Sequence, residues 1–246
     1  MRIHIIACRV FSRELCAFAA TSPHIVDITW LPQGLHMNPA ALRARLCEML
    51  QALHIQWEEE KNTKPQFIVL GYGLCSNGIV GLESKDISII IPKTDDCIAQ
   101  FMGSQELYQR AFVKNPGTYW LNNGWVEQGQ VPSHEGEAEK YKEYCEEYGE
   151  DNAEYLMEIE TAWKKEYKGC CFIESPVCRV CENEDRAKEL ADTCGWRYFT
   201  MQGDCRMIKA MTHGEWNETE YLICSPMHRI EATGDEQKIR AVPAAL

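Results

Sequence analysis

Four side chains in this chain have the chemistry to hold a soft metal ion or to act as nucleophiles, and each follows an apolar run. Cys8 closes the run 3–7. His36 follows the run 25–30 through Leu31-Pro32-Gln33-Gly34-Leu35. Cys75 lies inside a glycine-rich loop after the run 67–70. Cys97 ends Ile91-Pro92-Lys93-Thr94-Asp95-Asp96-Cys97. Thiolates and imidazole are natural zinc ligands, and three protein ligands leave a position open for chemistry. The 27, 38 and 21 intervening residues match no short metal-finger spacing. The expectation is therefore topological: four successive strands deliver these groups to one sheet edge, where open α/β sheets bind ligands. It places a metal at His36, Cys75 and Cys97, with Cys8 as a fourth ligand. The alternative for each thiol alone is a small core residue, and for His36 a capped loop histidine.

The loop Leu70-Gly71-Tyr72-Gly73-Leu74-Cys75-Ser76-Asn77-Gly78 is the densest signal. Gly71, Gly73 and Gly78, with Ser76 and Asn77, are candidate cofactor-binding residues, since glycine lets backbone N–H groups approach a ligand. A dinucleotide fingerprint would need Gly or Ala where Ser76 stands, and no acidic residue follows at the required distance. A helix starting after this loop would lower the Cys75 pKa through its N–H groups and dipole. Beside Cys97, one of Asp95 and Asp96 is either an acceptor for an imidazole N–H or the N-cap of a helix.

A second thiol group comprises Cys170, Cys171, Cys178 and Cys181, with Cys178-Arg179-Val180-Cys181 in Cys-x-x-Cys spacing. It could hold zinc or an iron–sulfur cluster. No second Cys-x-x-Cys accompanies it, and adjacent Cys170 and Cys171 point to opposite faces of a strand. These are read chiefly as core and loop thiols. The aromatics of Tyr119-Trp120-Leu121-Asn122-Asn123-Gly124-Trp125 either wall a pocket or plug a core beneath a loop; the plug is the simpler reading.

The elements that must position these groups alternate in type. Strands are expected over 3–7, 25–30, 67–70, 87–91, 170–173, 196–200 and 221–224. Helices are expected over 12–20, from Pro39 onward, 182–194 and 206–213. Leu42, Leu46, Met49, Leu50, Leu53 and Trp57 form a helical stripe, and Pro suits a first turn. This alternation predicts an α/β fold with a mostly parallel, Rossmann-like sheet. Residues 1–230 form one α/β domain, with lobes at 1–130 and 165–230 as one division and an acidic helical pair at 135–167 between them. That pair breaks near Gly149, with Tyr141, Tyr144 and Tyr148 as its inward face. The tail 231–246 lacks a firm pattern and is expected to be loose.

Composition limits the function classes. The net charge of the 246 residues is −12, and residues 135–160 alone carry eleven acids against two lysines. Acidic surface disfavours nucleic acid, while the nearly neutral remainder can still hold an anion pocket. No apolar run approaches the ~20 residues of a membrane span, and the first eight residues are too short for a signal peptide, so a cytoplasmic protein is expected. Thirteen cysteines there are core residues, ligands or nucleophiles rather than disulfides; they also suit an anaerobic cytoplasm.

Several segments resemble a known family: Leu31-Pro32-Gln33-Gly34-Leu35-His36, Leu70-Gly71-Tyr72-Gly73-Leu74-Cys75, Ile91-Pro92-Lys93-Thr94-Asp95-Asp96-Cys97, Asn115-Pro116-Gly117-Thr118-Tyr119-Trp120-Leu121 and Asn152-Ala153-Glu154-Tyr155-Leu156-Met157-Glu158. The chain, over roughly 1–229, is similar to an uncharacterised domain family of anaerobic bacteria and methanogenic archaea. The resemblance implies a genomic association with corrinoid-dependent methyl transfer. It also implies His, Cys and Cys at the positions of His36, Cys75 and Cys97, often with a Cys at Cys8, and implies no such role for the thiol cluster at 170–181. Two function classes follow. One is a zinc–thiolate enzyme of methyl or thiol transfer. The other is a non-enzymatic corrinoid or metal carrier that serves a corrinoid protein or methyltransferase partner. An iron–sulfur protein is a third reading.

Overall fold

The computed structural model describes residues 1–129 and 131–244. The first strand, β1 (Arg2–Cys8), leads through α1 (Ser12–Thr21) to β2 (Ile25–Leu31). Next come α2 (Pro39–Glu59), β3 (Phe67–Gly71) and β4 (Ser88–Pro92). The strand order β2-β1-β3-β4 is parallel throughout. β1 sits at its centre, which is why Ile3, Ile5, Ile6 and Ala7 are buried on both faces. α2 follows the sequence stripe: Leu42, Leu46, Leu50, Leu53 and Trp57 are buried, Pro39 opens the helix, and the Asn38 side chain accepts from Ala41 N at 3.1 Å as its cap.

Downstream lie α3 (Cys97–Met102), α4 (Gln105–Lys114), β5 (Thr118–Leu121) and α5 (Asn123–Gln128). The acidic pair is α6 (His134–Tyr148) and α7 (Glu150–Thr161), separated by Gly149 at φ 83°. Then come β6 (Gly169–Glu174), α8 (Cys181–Cys194), β7 (Arg197–Gln202), α9 (Arg206–His213), β8 (Tyr221–Cys224), β9 (His228–Ala232) and β10 (Ile239–Pro243). β5, β6 and β7 form a second parallel sheet. β8 returns to the first sheet as an antiparallel edge beside β4. The fold is thus mixed α/β with mostly parallel sheets, as the alternation predicts.

Three expectations need correction. The segment 118–121, absent from the expected strands, is a strand of the second sheet. The tail is not loose: β9 and β10 pair as a hairpin. Ile230 N donates to Leu82 O at 3.0 Å, and Gly81 N donates to Ile230 O at 2.8 Å, so β9 staples the loop that leaves β3. Thirdly, Tyr148 is 48% exposed, so the α6 aromatics do not all turn inward. Tyr144 instead donates to Glu160 Oε1 on α7 at 2.6 Å, which ties the acidic pair together through polar groups. Among the described residues no helix is long and apolar enough to cross a membrane.

Candidate functional site

The carboxyl ends of β1, β3 and β4 and the turn after β2 surround one cavity of about 460 Å³. Cys8, the last residue of β1, lies on its wall with Val10 and Phe11. His36 enters from a short 3-10 turn (Leu35–Met37) after β2. Tyr72, Leu74, Cys75 and Ser76 come from the loop after β3, and Asp95, Asp96, Cys97 and Ile98 from the exit of β4 and the start of α3. Trp125 of α5 closes one side and meets His36 edge to face, with ring centroids 5.4 Å apart. All four sequence candidates therefore face the same space.

Close chain packing makes this convergence. A Cβ on Gly73 would lie 2.8 Å from Thr94 Oγ1 and 2.9 Å from Asp96 N, so only glycine lets the two exit loops touch. Leu74 N then donates to Thr94 O at 2.7 Å and Cys75 N to Asp95 O at 2.9 Å. A Cβ on Gly124 would lie 1.8 Å from Val10 O, so α5 presses directly on the exit of β1 and carries Trp125 to the cavity. Gly71 and Gly78 likewise abut Ala7 and Leu42, and Asn77 gives its carbonyl to Arg43 at 3.2 Å. Of the five glycine-loop candidates, only Ser76 lines the cavity.

No helix follows the loop. Cys75, Ser76 and Asn77 instead adopt φ of 45°, 54° and 69°, three consecutive left-handed residues without a glycine. Such backbone costs roughly 1–2 kcal/mol per residue and persists where surrounding structure imposes it. The expected helix-assisted lowering of the Cys75 pKa is overturned with it. Burial, then the charge of Asp96, pushes that thiol up to about 12. Burial raises Cys8 to about 11 and drives Cys97 well above the ordinary thiol range, with Asp96, Cys75 and Cys8 adding to the latter. Burial lowers His36. The cavity thus holds protonated thiols and a neutral imidazole at pH 7.

Its carboxylates are engaged elsewhere. Asp96 caps α3, accepting from Ile98 N at 2.8 Å, and accepts from Tyr108 Oη at 3.1 Å; it serves the helix rather than His36. Asp95 accepts from Gln105 Nε2 at 2.6 Å and pairs with Lys238, from the tail hairpin, at 2.8 Å. Tyr72 was not singled out from the sequence. Its hydroxyl is buried and its pKa is raised, first by burial and then by the Cys8, Cys75 and Cys97 thiols around it. Among the described residues no three His, Cys, Asp or Glu side chains stand close enough to hold one ion as placed.

The second thiol group disperses. Cys170 and Cys171 are buried on opposite faces of β6 in separate clusters. Cys178 accepts from Arg13 Nη1 at 3.3 Å, and Cys181 is exposed at the start of α8. The aromatic segment also divides: Tyr119 packs against Trp163, Tyr167 and Trp196, Trp120 is core, and Trp125 alone reaches the cavity.

With the cavity defined, comparison by sequence places the chain. Residues 30–212 match a family described as a protein of unknown function, DUF1638. The chain belongs to the DUF1638 family. The matched span contains His36, Cys75, Cys97 and Trp125, and begins after Cys8. No curated protein and no solved structure matches the chain.

Proposed function

We propose that this DUF1638 protein binds one soft divalent metal ion, zinc by preference, in the cavity at the carboxyl edge of its first sheet. Cys75, Cys97 and His36 are the ligands, with Cys8 able to complete the set. The observation that carries this reading is that three thiols and an imidazole, from four separate chain segments, line one cavity. Soft thiolate and imidazole donors select zinc among common divalent ions. The order β2-β1-β3-β4 reverses direction between β1 and β3, beside the cavity, which is where ligands sit in doubly wound sheets. We read the first sheet as a Rossmann-like variant whose β3–β4 link has lost its helix.

Binding would need the cavity thiols to rotate toward one another, since zinc–sulfur bonds are about 2.3 Å. Once bound, zinc supplies a deprotonated, nucleophilic thiol at neutral pH. The chain's part is to hold the donors on rigid strand exits, with Asp95 and Asp96 engaged and Phe11, Leu74 and Trp125 limiting water. Such a centre suits thiol or methyl-group transfer in corrinoid-linked metabolism, with a corrinoid protein or methyltransferase as partner. The position of Cys8 on the same wall favours a second reading, an ion held by four protein ligands in a carrier module.

The test is metal content of anaerobically purified protein. About one zinc or iron per chain is expected; zinc leaves it colourless, whereas an iron–sulfur cluster or corrinoid would colour it. Cys75→Ser or Cys97→Ser should each remove most of the metal, and Cys178→Ser with Cys181→Ser should not. The opposite pattern would move the site to the second thiol group and end this reading. Loss in Cys8→Ser as well would favour the carrier, because no open position would remain.

A further inference from the structure

The cavity at the first sheet edge is far larger than an ion needs. Donors about 2.3 Å from a metal take up little of its volume of about 460 Å³, and the remaining space suits a metabolite-sized ligand. Its accessible surface is mostly apolar, and Val10, Phe11, Leu74 and Ile98 are among the residues that line it.

The wall has no free charge to offer. Among the described residues no lysine or arginine lines the cavity. Asp96 gives one oxygen to Ile98 N and the other to Tyr108 Oη, and Asp95 accepts from Gln105 and pairs with Lys238. A charged ligand entering this space sheds its hydration and finds no unpaired counter-ion, which is costly. An uncharged alkyl body meets no such cost and gains by burial.

The donor set selects the reacting atom of that ligand. Cys75, Cys97 and His36 are three donors, and three leave a tetrahedral ion one open position. An ion chosen by soft thiolate and imidazole donors accepts a further sulfur readily. We propose that the cavity takes a small, uncharged alkyl thiol, with its carbon chain against the apolar wall and its sulfur in the open position of the ion. The sulfur–ion bond rests on the metal reading above, whereas the uncharged alkyl body rests on the wall alone. On binding, the ligand's S–H proton passes to water and a sulfur lone pair replaces a bound water, so the thiol becomes a thiolate at neutral pH.

The experiment uses the full-length protein, purified without oxygen and loaded with cobalt(II), which takes zinc's tetrahedral sites and has a visible spectrum. The probes are ethanethiol, propanethiol, butanethiol, 3-mercaptopropionate, 2-aminoethanethiol and, as a body without sulfur, butanol. Each alkanethiol should add thiolate-to-cobalt absorption that saturates, with Kd falling about fourfold per added methylene. The anionic and cationic thiols should bind more weakly than alkanethiols of matched length by about tenfold or more, and butanol should add no absorption. Leu74→Lys puts a cation in the wall and should turn the preference toward 3-mercaptopropionate, with cobalt uptake reporting that the variant is folded; the wild-type series decides the question without it. The proposal is overturned if either charged thiol binds as tightly as its alkyl counterpart, if affinity does not rise from ethanethiol to butanethiol, or if folded Leu74→Lys keeps the wild-type preference. Cobalt that shows three protein thiolates and gains none from any thiol would place Cys8 in the fourth position, ending this proposal and leaving the metal reading intact. Protein that takes up no cobalt would end the metal reading, and the sulfur–ion bond with it.

Discussion

The first and second parallel sheets each open a cavity at the carboxyl edge, and the two differ in what their polar groups face. At the first edge, Cys8, Cys75, Cys97, His36, Tyr72 and Trp125 surround about 460 Å³. At the second, Asn123, Glu174, Ser175, Cys178 and Gln202 surround about 120 Å³. At the second edge most polar side chains bond one another, while the buried Ser175 hydroxyl has no partner. Arg13 donates to Glu127 at 2.7 Å and to Cys178 at 3.3 Å, Asn183 donates to Glu127 and to Asn123, and Asn123 donates to the Cys178 carbonyl at 3.0 Å. The first edge leaves three thiols and an imidazole lining open space. Local Cys-x-x-Cys spacing sits at the closed edge, and the thiols spaced tens of residues apart sit at the open one. Convergence in space, not proximity in sequence, separates them.

The largest expected effect sharpens this contrast by pH. Cys75 near 12 and Cys8 near 11 hold their protons at neutral pH, as does Cys97, so each thiol that ligates must release one. With two thiolates bound, zinc affinity should rise by about 100-fold per pH unit through the range 6 to 8, after correction for His36. Competition with a chromophoric chelator at several pH values measures the slope. A flat profile would mean that the cavity thiols do not ligate, and the two edges would then differ only in volume.

Acid should weaken the fold through the first sheet. His4 of β1 is buried against Trp57, bonded to Thr29 Oγ1 at 2.9 Å, and burial lowers its pKa from 6.5 to about 4. The folded state therefore binds fewer protons than the unfolded chain between these values. The stabilisation is fully present above pH 6.5 and is lost as pH falls through about 4, amounting to about 3 kcal/mol. Denaturant titrations at pH 7 and pH 4.5 should show the loss, and His4→Phe should remove most of the difference. An unchanged pH dependence in that variant would place the acid-sensitive group elsewhere.

The smallest effect concerns backbone strain, which the first edge stores in Cys75-Ser76-Asn77. Ser76→Gly removes a left-handed Cβ penalty and should raise stability by up to about 1 kcal/mol. It should also loosen Cys75 and weaken zinc binding. A thermal melt paired with metal content reads both, and a destabilised variant would show that the Ser76 side chain, not its backbone, holds the loop.

Much of this architecture was legible in the residues. Continuous apolar runs marked β1, β3 and β4, and the Leu42–Trp57 stripe with Pro39 and Asn38 marked α2, because burial on both faces of a strand or along one helix stripe imposes a local pattern. The crossover rule then placed Cys8, His36, Cys75 and Cys97 at one edge. Other features are set by distant contacts and leave no local period. The tail from 231 reads as patternless because β9 and β10 put only Ile230 and Ile239 into the core, too few to set a period, and otherwise pair with each other and the loop at 81–82. The left-handed turn at Cys75 follows from stapling by Thr94, Asp95 and Ile230, and no glycine announced it. Trp125 reads chiefly as part of a core plug, with a pocket wall as the alternative, and Tyr72 carries no signal of its own. They reach the cavity only because Gly124 lets α5 rest on Val10 and Gly73 lets two strand exits touch. Residue types and strand order thus determined which groups could meet, while close packing between segments decided how the cavity they share is shaped.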